Sequence, residues 1–301
     1  MVEEPLEIQK EEPPQSEAAN ALPFPFNQQT FCRYEPIEKQ IDEVRVLVVD
    51  SLLRDQDDLS DVARTDWGNT TSLEIKRERR IAGMAIENIV SNIERLVKRP
   101  TTQITQLASV AGAVRKFKPD AIVLSGTLRD FDYYNASVLE TFADFIRTNT
   151  IPVLAICGGH QLVGLSFGAR VVTLDRLEQH EQRENRPLEY QYRYIRITEP
   201  KDPIFEGISP HARVLRVWQN HGLQLDRVPE GFSLLATSYL CRNQMMVKRD
   251  DGHLIYTVQF HLEKSFEDWN KSRTRWEHQN ESRDGRILFE NFLTLALARS
   301  S

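Results

Sequence analysis

The stretch Val153-Leu154-Ala155-Ile156-Cys157-Gly158-Gly159-His160-Gln161-Leu162-Val163 constrains this chain more than any other. An apolar run stops at a cysteine, and a helical pattern through Leu162, Val163, Leu165 and Phe167 starts directly after it. Such a run is what a strand buried on both faces of a parallel sheet looks like. A nucleophile perched on a strand-to-helix turn sits in crowded, strained backbone, so the residues two before and two after it must be small. Ala155 and Gly159 meet that need.

The neighbouring sequence predicts the sheet to which this strand belongs. Val44 to Val49 reads as a first buried strand ending at Asp50, followed by a long polar loop through Trp67-Gly68-Asn69. Ile75, Ile81, Ile86, Ile89, Ile93 and Leu96 mark one face of a helix over Ser72 to Lys98, which Pro100 ends, with Lys76 to Arg80 as its solvated side. A weaker strand over 103–110, a helix over 111–118, a strand at Ala121 to Leu124 and a helix from Val138 to Thr148 lead to the strand 151–156. Alternation of this kind predicts an α/β fold, a doubly wound, mostly parallel sheet covered on both faces. Shorter alternating runs at 170–172, 191–197, 213–217, 233–237 and 245–247 predict an antiparallel extension of the same domain. The strand Leu254 to Phe260 and a closing helix from Arg286 to Ala298 complete a domain over 41–301, interrupted by a polar insertion at 264–284. Residues 1–40 carry six glutamates in the first 20 positions together with several prolines, the composition of a disordered tail.

Composition narrows the function. A net charge of −6 argues against nucleic acid as the main partner, because phosphate binding needs a clustered basic excess. No run reaches the ~18 apolar residues of a membrane span, and the acidic start is unlike a secretory or mitochondrial presequence, so a cytoplasmic location is expected. Three scattered cysteines, Cys32, Cys157 and Cys241, fit neither a disulfide framework nor a zinc site, and no cofactor is called for.

Two strand ends carry chemistry. Cys157 stands where the following helix N-terminus favours the thiolate that attacks a carbonyl carbon. In His261-Leu262-Glu263 the two polar side chains project to one side of an extended segment, so Glu263 can orient the imidazole and stabilise its charged form. Taken singly, a lone cysteine is more often a small buried hydrophobe, and a lone His-x-Glu more often surface polarity. Together, each at the carboxyl end of a predicted strand, they make a Cys-His-Glu triad.

Ala155 to Gln161, Val258 to Glu263, Leu124-Ser125-Gly126 and Asn220-His221-Gly222, in this arrangement, resemble the class I, triad-type glutamine amidotransferase domain. The resemblance covers roughly 44–299 apart from the insertion. Val217 to Gly222 and Val228 to Phe232 are similar to the amidotransferase parts of guanosine monophosphate synthetases. It implies a flavodoxin-like sheet and hydrolysis of the glutamine side-chain amide through a γ-glutamyl thioester, releasing ammonia. Carried over by position, Cys157 is the nucleophile, His261 the base and then the acid, and Glu263 its orienter. The backbone N–H groups of Thr127 and Gly158 form the oxyanion hole, while Gly126, Gln161, Asn220, His221 and Gly222 meet the substrate. His160 and His221 need no catalytic role of their own and fit the motifs as positioning or packing residues. Thr127 stands where the family usually has glycine, and a β-branched residue is uncomfortable in the backbone conformations glycine permits.

The implied partners are glutamine and a separate synthetase subunit that accepts the ammonia, because neither tail nor insertion is large enough to be an acceptor domain. Two other outcomes fit the same residues: a stand-alone glutaminase or γ-glutamyl hydrolase, and a catalytically weak regulatory or binding protein on this fold. Nucleotide binding at the central turn fits poorly, because Gly159-x4-Gly164 is followed by Leu165 in place of a phosphate-loop lysine.

Overall fold

The computed structural model describes residues 38–208, 213–250, 252–264 and 283–300. The acidic tail and nearly all of the 264–284 insertion therefore lie outside the described residues. Among the described residues, one nine-stranded sheet forms the centre of the molecule. Its strands are β1 (Ile41–Asp50), β2 (Val97–Gln106), β3 (Ala121–Leu124), β4 (Val153–Ile156), β6 (Glu189–Ile197), β7 (Val214–His221), β9 (Ser233–Thr237), β10 (Met245–Arg249) and β11 (Leu254–Val258). Their spatial order is β2-β1-β3-β4-β11-β10-β9-β6-β7. The pairs from β2 to β11 are parallel and those from β11 to β7 antiparallel. β5 (Val171–Thr173) and β8 (Leu223–Leu225) form a separate antiparallel ribbon. Here the structure corrects the expectation that 170–172 extends the main sheet.

The helices are α1 (Asp61–Trp67), α2 (Thr71–Leu96), α3 (Val110–Phe117), α4 (Ala136–Thr148), α5 (Gly158–Ser166) and α6 (Arg283–Ser300). β3, β4 and β11 are buried at every residue, as both-face coverage requires, and two apolar cores lie on opposite faces of the sheet. The fold is the expected α/β architecture with its antiparallel wing.

Several local expectations change. The long loop through Trp67 is helical, with α1 capped by Ser60, whose Oγ accepts from the Ala63 N–H at 3.2 Å. Pro100 does not lie beyond a helix in a loop; it sits inside β2, opposite Val44. β2 is the sheet's edge, where alternate N–H groups face away from the only neighbouring strand and proline is tolerated, and so the strand runs from 97 to 106 in place of 103–110. Within the charged run on α2, Glu78 is fully buried, because Arg129 reaches it from the loop after β3.

Candidate active site

The strand order determines which chain segments meet. β3, β4 and β11 are consecutive neighbours and parallel, so their carboxyl ends emerge together at one edge. Crevices outside such ends are where open α/β sheets bind ligands. Gly126-Thr127 follows β3, Cys157 follows β4 and His261 follows β11, and all four line one cleft of about 680 Å³.

Cys157 occupies the turn at φ 51°, ψ −107°, a positive φ unusual for any residue but glycine. Backbone strain of this kind costs on the order of 1–3 kcal/mol and persists only where the surroundings enforce it. Two hydrogen bonds do so: the Cys157 N–H donates to the Val258 carbonyl at 2.7 Å, and the Cys157 carbonyl accepts from the Gln161 N–H at 3.2 Å. The following glycines are required by space. A Cβ on Gly158 would stand 2.0 Å from Thr127 Oγ1 and 2.3 Å from the Thr127 nitrogen, and one on Gly159 would stand 2.9 Å from the Ser125 carbonyl oxygen. Thr127 is therefore packed directly on Gly158, with their backbones side by side as an oxyanion hole needs. Thr127 itself is not among the positive-φ residues, so the strain expected of a β-branched side chain there does not arise.

Gly126 lies against the other side of Cys157: a Cβ there would be 3.4 Å from Cys157 Cβ and 3.6 Å from His261 Cε1. The His261 backbone N–H donates to the Trp218 carbonyl at 2.8 Å, which anchors the segment after β11 to β7. His261 Nδ1 and Glu263 Oε1 are 2.7 Å apart, with the carboxylate almost fully buried. Burial alone would lower the basicity of His261, but the Glu263 carboxylate and the Cys157 sulfur outweigh it and hold the imidazole well above the usual histidine range. Burial would by itself raise the pKa of Glu263, and the adjacent imidazolium reverses that. The charged imidazole is thus held between the Glu263 carboxylate and the Cys157 sulfur.

Gln161 lines the cleft, but its side-chain amide is engaged within the protein, donating to the Leu223 carbonyl at 3.1 Å and to Gln259 Oε1 at 3.0 Å. Gln259 in turn directs its own amide N–H at Cys157 Sγ, 3.7 Å away. Gln259 lies inside the Val258 to Glu263 motif, and its position two residues before His261 is the signal the sequence carries for it. Asn220 is exposed at the cleft wall and Gly222 half-buried there. His160 is buried with Nδ1 2.7 Å from Thr257 Oγ1, and burial pulls its imidazole down to about 3, so it is neutral.

His221 belongs to a second polar cluster. Its Nδ1 is 2.9 Å from the Leu223 carbonyl oxygen, and its Nε2 lies 3.0 Å from Gln219 Oε1 and 3.1 Å from Glu189 Oε2. Glu189, His221 and Cys241 place one ligand-type atom each within 4.8 Å of one another. Glu189 already accepts from Ser238 Oγ at 2.9 Å and from Gln244 Nε2 at 2.7 Å, so these groups are joined by their own hydrogen bonds.

The loop after β3 is held from two sides. Arg129 Nε is 2.7 Å from Glu78 Oε1 and its Nη2 2.5 Å from Glu74 Oε2, both on α2. Asp130 accepts two bonds of 2.9 Å from Arg186, and Arg183 spans Asp130 and Asp132 at 3.0 and 2.6 Å. These clamps were not foreseen, because the partners lie more than 50 residues apart in sequence.

Comparison with known proteins agrees with this geometry. The family profile described as glutamine amidotransferase class-I matches residues 85–278. A subunit of the glutamine-hydrolysing GMP synthase of Methanothermobacter thermautotrophicus is 30% identical over 149 residues, 50% of this chain and 63% of that protein. Its counterpart from Thermococcus kodakarensis is 34% identical over 151 residues, 50% of this chain and 69% of that protein. In fold, the chain is similar to the crystal structure of a GMP synthase subunit-like protein from Thermoplasma acidophilum. The TM-score is 0.54 at 22% identity, over 85% of this chain and 96% of that one. No helix among the described residues is long and apolar enough to cross a membrane.

Proposed function

Because the chain belongs to the class I glutamine amidotransferase family, we propose that it hydrolyses the side-chain amide of glutamine through a γ-glutamyl thioester on Cys157. The reading rests on one observation: Cys157, His261 and the Gly126-Thr127 turn stand at the ends of three adjacent parallel strands around one cleft. Cys157 Sγ attacks the amide carbon while the carbonyl oxygen gathers charge against the Thr127 and Gly158 N–H groups. His261, held charged by Glu263, gives its proton to the departing nitrogen as the C–N bond breaks, and ammonia leaves. His261 then takes a proton from water, which attacks the thioester, and glutamate leaves as the thiol is restored. Gln259 steadies the thiolate between turnovers. Gly126, Asn220, His221 and Gly222 border the volume for the α-amino-acid end, and Gln161 acts through Gln259 and the Leu223 carbonyl.

The ammonia acceptor is a separate synthetase subunit in this reading. Support comes from the relatives, which are named as subunits of a glutamine-hydrolysing synthase. A cytoplasmic location belongs to the same proposal, since a free thiol nucleophile depends on reducing surroundings. Purified protein is expected to release equimolar glutamate and ammonia from glutamine, and Cys157→Ala is expected to abolish the release. Absence of release with and without the candidate acceptor would overturn the reading.

A further inference from the structure

The cleft above Cys157 has a wall that ammonia does not need. Of its lining residues, Leu52, Ile81, Met84, Ala85, Leu128 and Leu188 are apolar, and three of these keep large side chains open to solvent: Met84 at 54% exposure, Leu128 at 43% and Leu188 at 60%. An exposed apolar group bordering a concave site marks a ligand or partner surface more often than chance placement does.

α2 fixes where this wall stands relative to the chemistry. One end of the helix is tied to the loop carrying Thr127, through Arg129 on Glu74 and Glu78. Further along, Asn92 Nδ2 donates to the backbone carbonyl of Glu263 at 2.6 Å, beside the base. Glu78, Ile81, Ala85 and Asn92 follow one another at helical spacing along a single stripe, with Met84 beside it. Ile81, Met84 and Ala85 therefore lie between the two anchor points and line the cleft between the oxyanion turn and His261. The imidazole protonates the leaving nitrogen, so whatever that nitrogen carries is delivered toward this wall.

Charge on the rim narrows the choice. Arg129 is matched by Glu74 and Glu78, Arg183 by Asp130 and Asp132, and Arg186 by Asp130. With these guanidinium groups neutralised by carboxylates, and with Lys264 acting on the Glu263 carboxylate, whose pKa it lowers, the rim gives an anionic substituent little to pair with. The volume of about 680 Å³ also falls within the range of clefts that hold ligands much larger than one amino acid.

We propose that the same Cys157 site, taken to act through the γ-glutamyl thioester described above, also cleaves γ-glutamyl amides whose nitrogen bears an apolar alkyl or aralkyl group. Cys157 Sγ forms the thioester bond, the C–N bond breaks, and the apolar amine leaves with the proton from His261. Water then releases glutamate and regenerates the thiol. The net reaction is γ-glutamyl amide plus water to glutamate plus amine.

The test is a substrate series of rising apolar size with similar amide reactivity: glutamine, then the γ-methyl, γ-butyl and γ-benzyl amides, each followed by glutamate release from the full-length chain. Expected is a kcat/KM for the benzylamide at least tenfold above that for glutamine, with the ratio falling severalfold in Met84→Gln. Met84 is half exposed on a helix and glutamine is a comparable helix former, and far-UV circular dichroism with thermal unfolding of the variant serves as the folding control. Glutamine cleaved as fast as or faster than the benzylamide would overturn this inference while leaving the thioester reading intact, and would mean that the apolar wall serves a protein partner. An unchanged ratio in Met84→Gln would also overturn it. Failure to release glutamate from any member, with Cys157 intact and with or without the candidate acceptor subunit, would instead overturn the thioester reading itself.

Discussion

Replacing Arg129 with methionine removes the guanidinium that neutralises a fully buried carboxylate and ties α2 to the turn bearing Thr127. Breaking one side of a buried pair costs about 3–5 kcal/mol, because the remaining charge is left in a poorly polarisable interior. Glu78 has an escape, since it can take up a proton. Burial already raises its pKa even with Arg129 present. Neutralising a carboxyl of ordinary pKa, about 4.3, at pH 7 costs about 3.7 kcal/mol, which caps the loss. The folded variant then binds a proton that its unfolded form does not, so its stability rises as pH falls. By the same arithmetic the cap drops to about 1.6 kcal/mol at pH 5.5. Urea unfolding of wild type and Arg129→Met at both pH values measures this difference. The expected deficit is about 3–4 kcal/mol at pH 7, roughly halved at pH 5.5, and largely recovered at pH 7 by adding Glu78→Gln. Activity should fall as well, in kcat more than in KM, because the oxyanion turn loses its tie to α2. A deficit below about 1 kcal/mol, or one independent of pH, would refute the view that Arg129 and Glu78 form a buried ion pair holding this turn.

The remaining predictions concern the reacting residues. Cys157→Gly should be more stable than Cys157→Ala by about 1 kcal/mol in thermal or urea unfolding, since glycine alone tolerates φ 51° there, while both variants are inactive. Gly158→Ala should lower kcat by about 10²–10³ through displacement of Thr127, with KM for glutamine far less affected. Glu263→Gln removes the carboxylate that keeps His261 charged, so alkylation of Cys157 by iodoacetamide at neutral pH should slow and its pH profile move upward. In the wild type His261 is raised and Glu263 lowered. Stability from their ion pair is therefore complete between the ordinary carboxylate and ordinary histidine ranges, and it is lost as pH rises through the elevated histidine value or falls through the depressed glutamate value.

Much of the site was legible because its parts announce themselves locally. An all-apolar strand stopping at Cys157, small residues around it and His261-Leu262-Glu263 after another apolar run each follow from short-range periodicity. Adjacency of β4 and β11 was not local, and a family resemblance was needed to join segments about a hundred residues apart. Periodicity misplaced β2 because it treats proline as a terminator, although an edge strand tolerates proline where the N–H would face away from the sheet. It placed Glu78 in solvent because a run of charges on a helix normally is solvated; only the arrival of Arg129 from another loop makes burial tolerable. The strand Leu223–Leu225 escaped notice for a different reason: three residues are too few to show alternation.

The central position of β11 carries a cost during synthesis. β4 is apolar and buried at all four residues, and in the finished protein its outer side is covered by β11. About a hundred residues separate Ile156 from Val258, so at roughly 5–20 residues per second a nascent chain spends about 5–20 s with β4 as an open, sticky border. The four strands β10, β9, β6 and β7 are made in that interval, yet they join the sheet only through β11. The last strand thus acts as a keystone: it shields the vulnerable border, docks the finished wing and brings His261 to Cys157 in one step, so that the proposed chemistry switches on only once the architecture is closed.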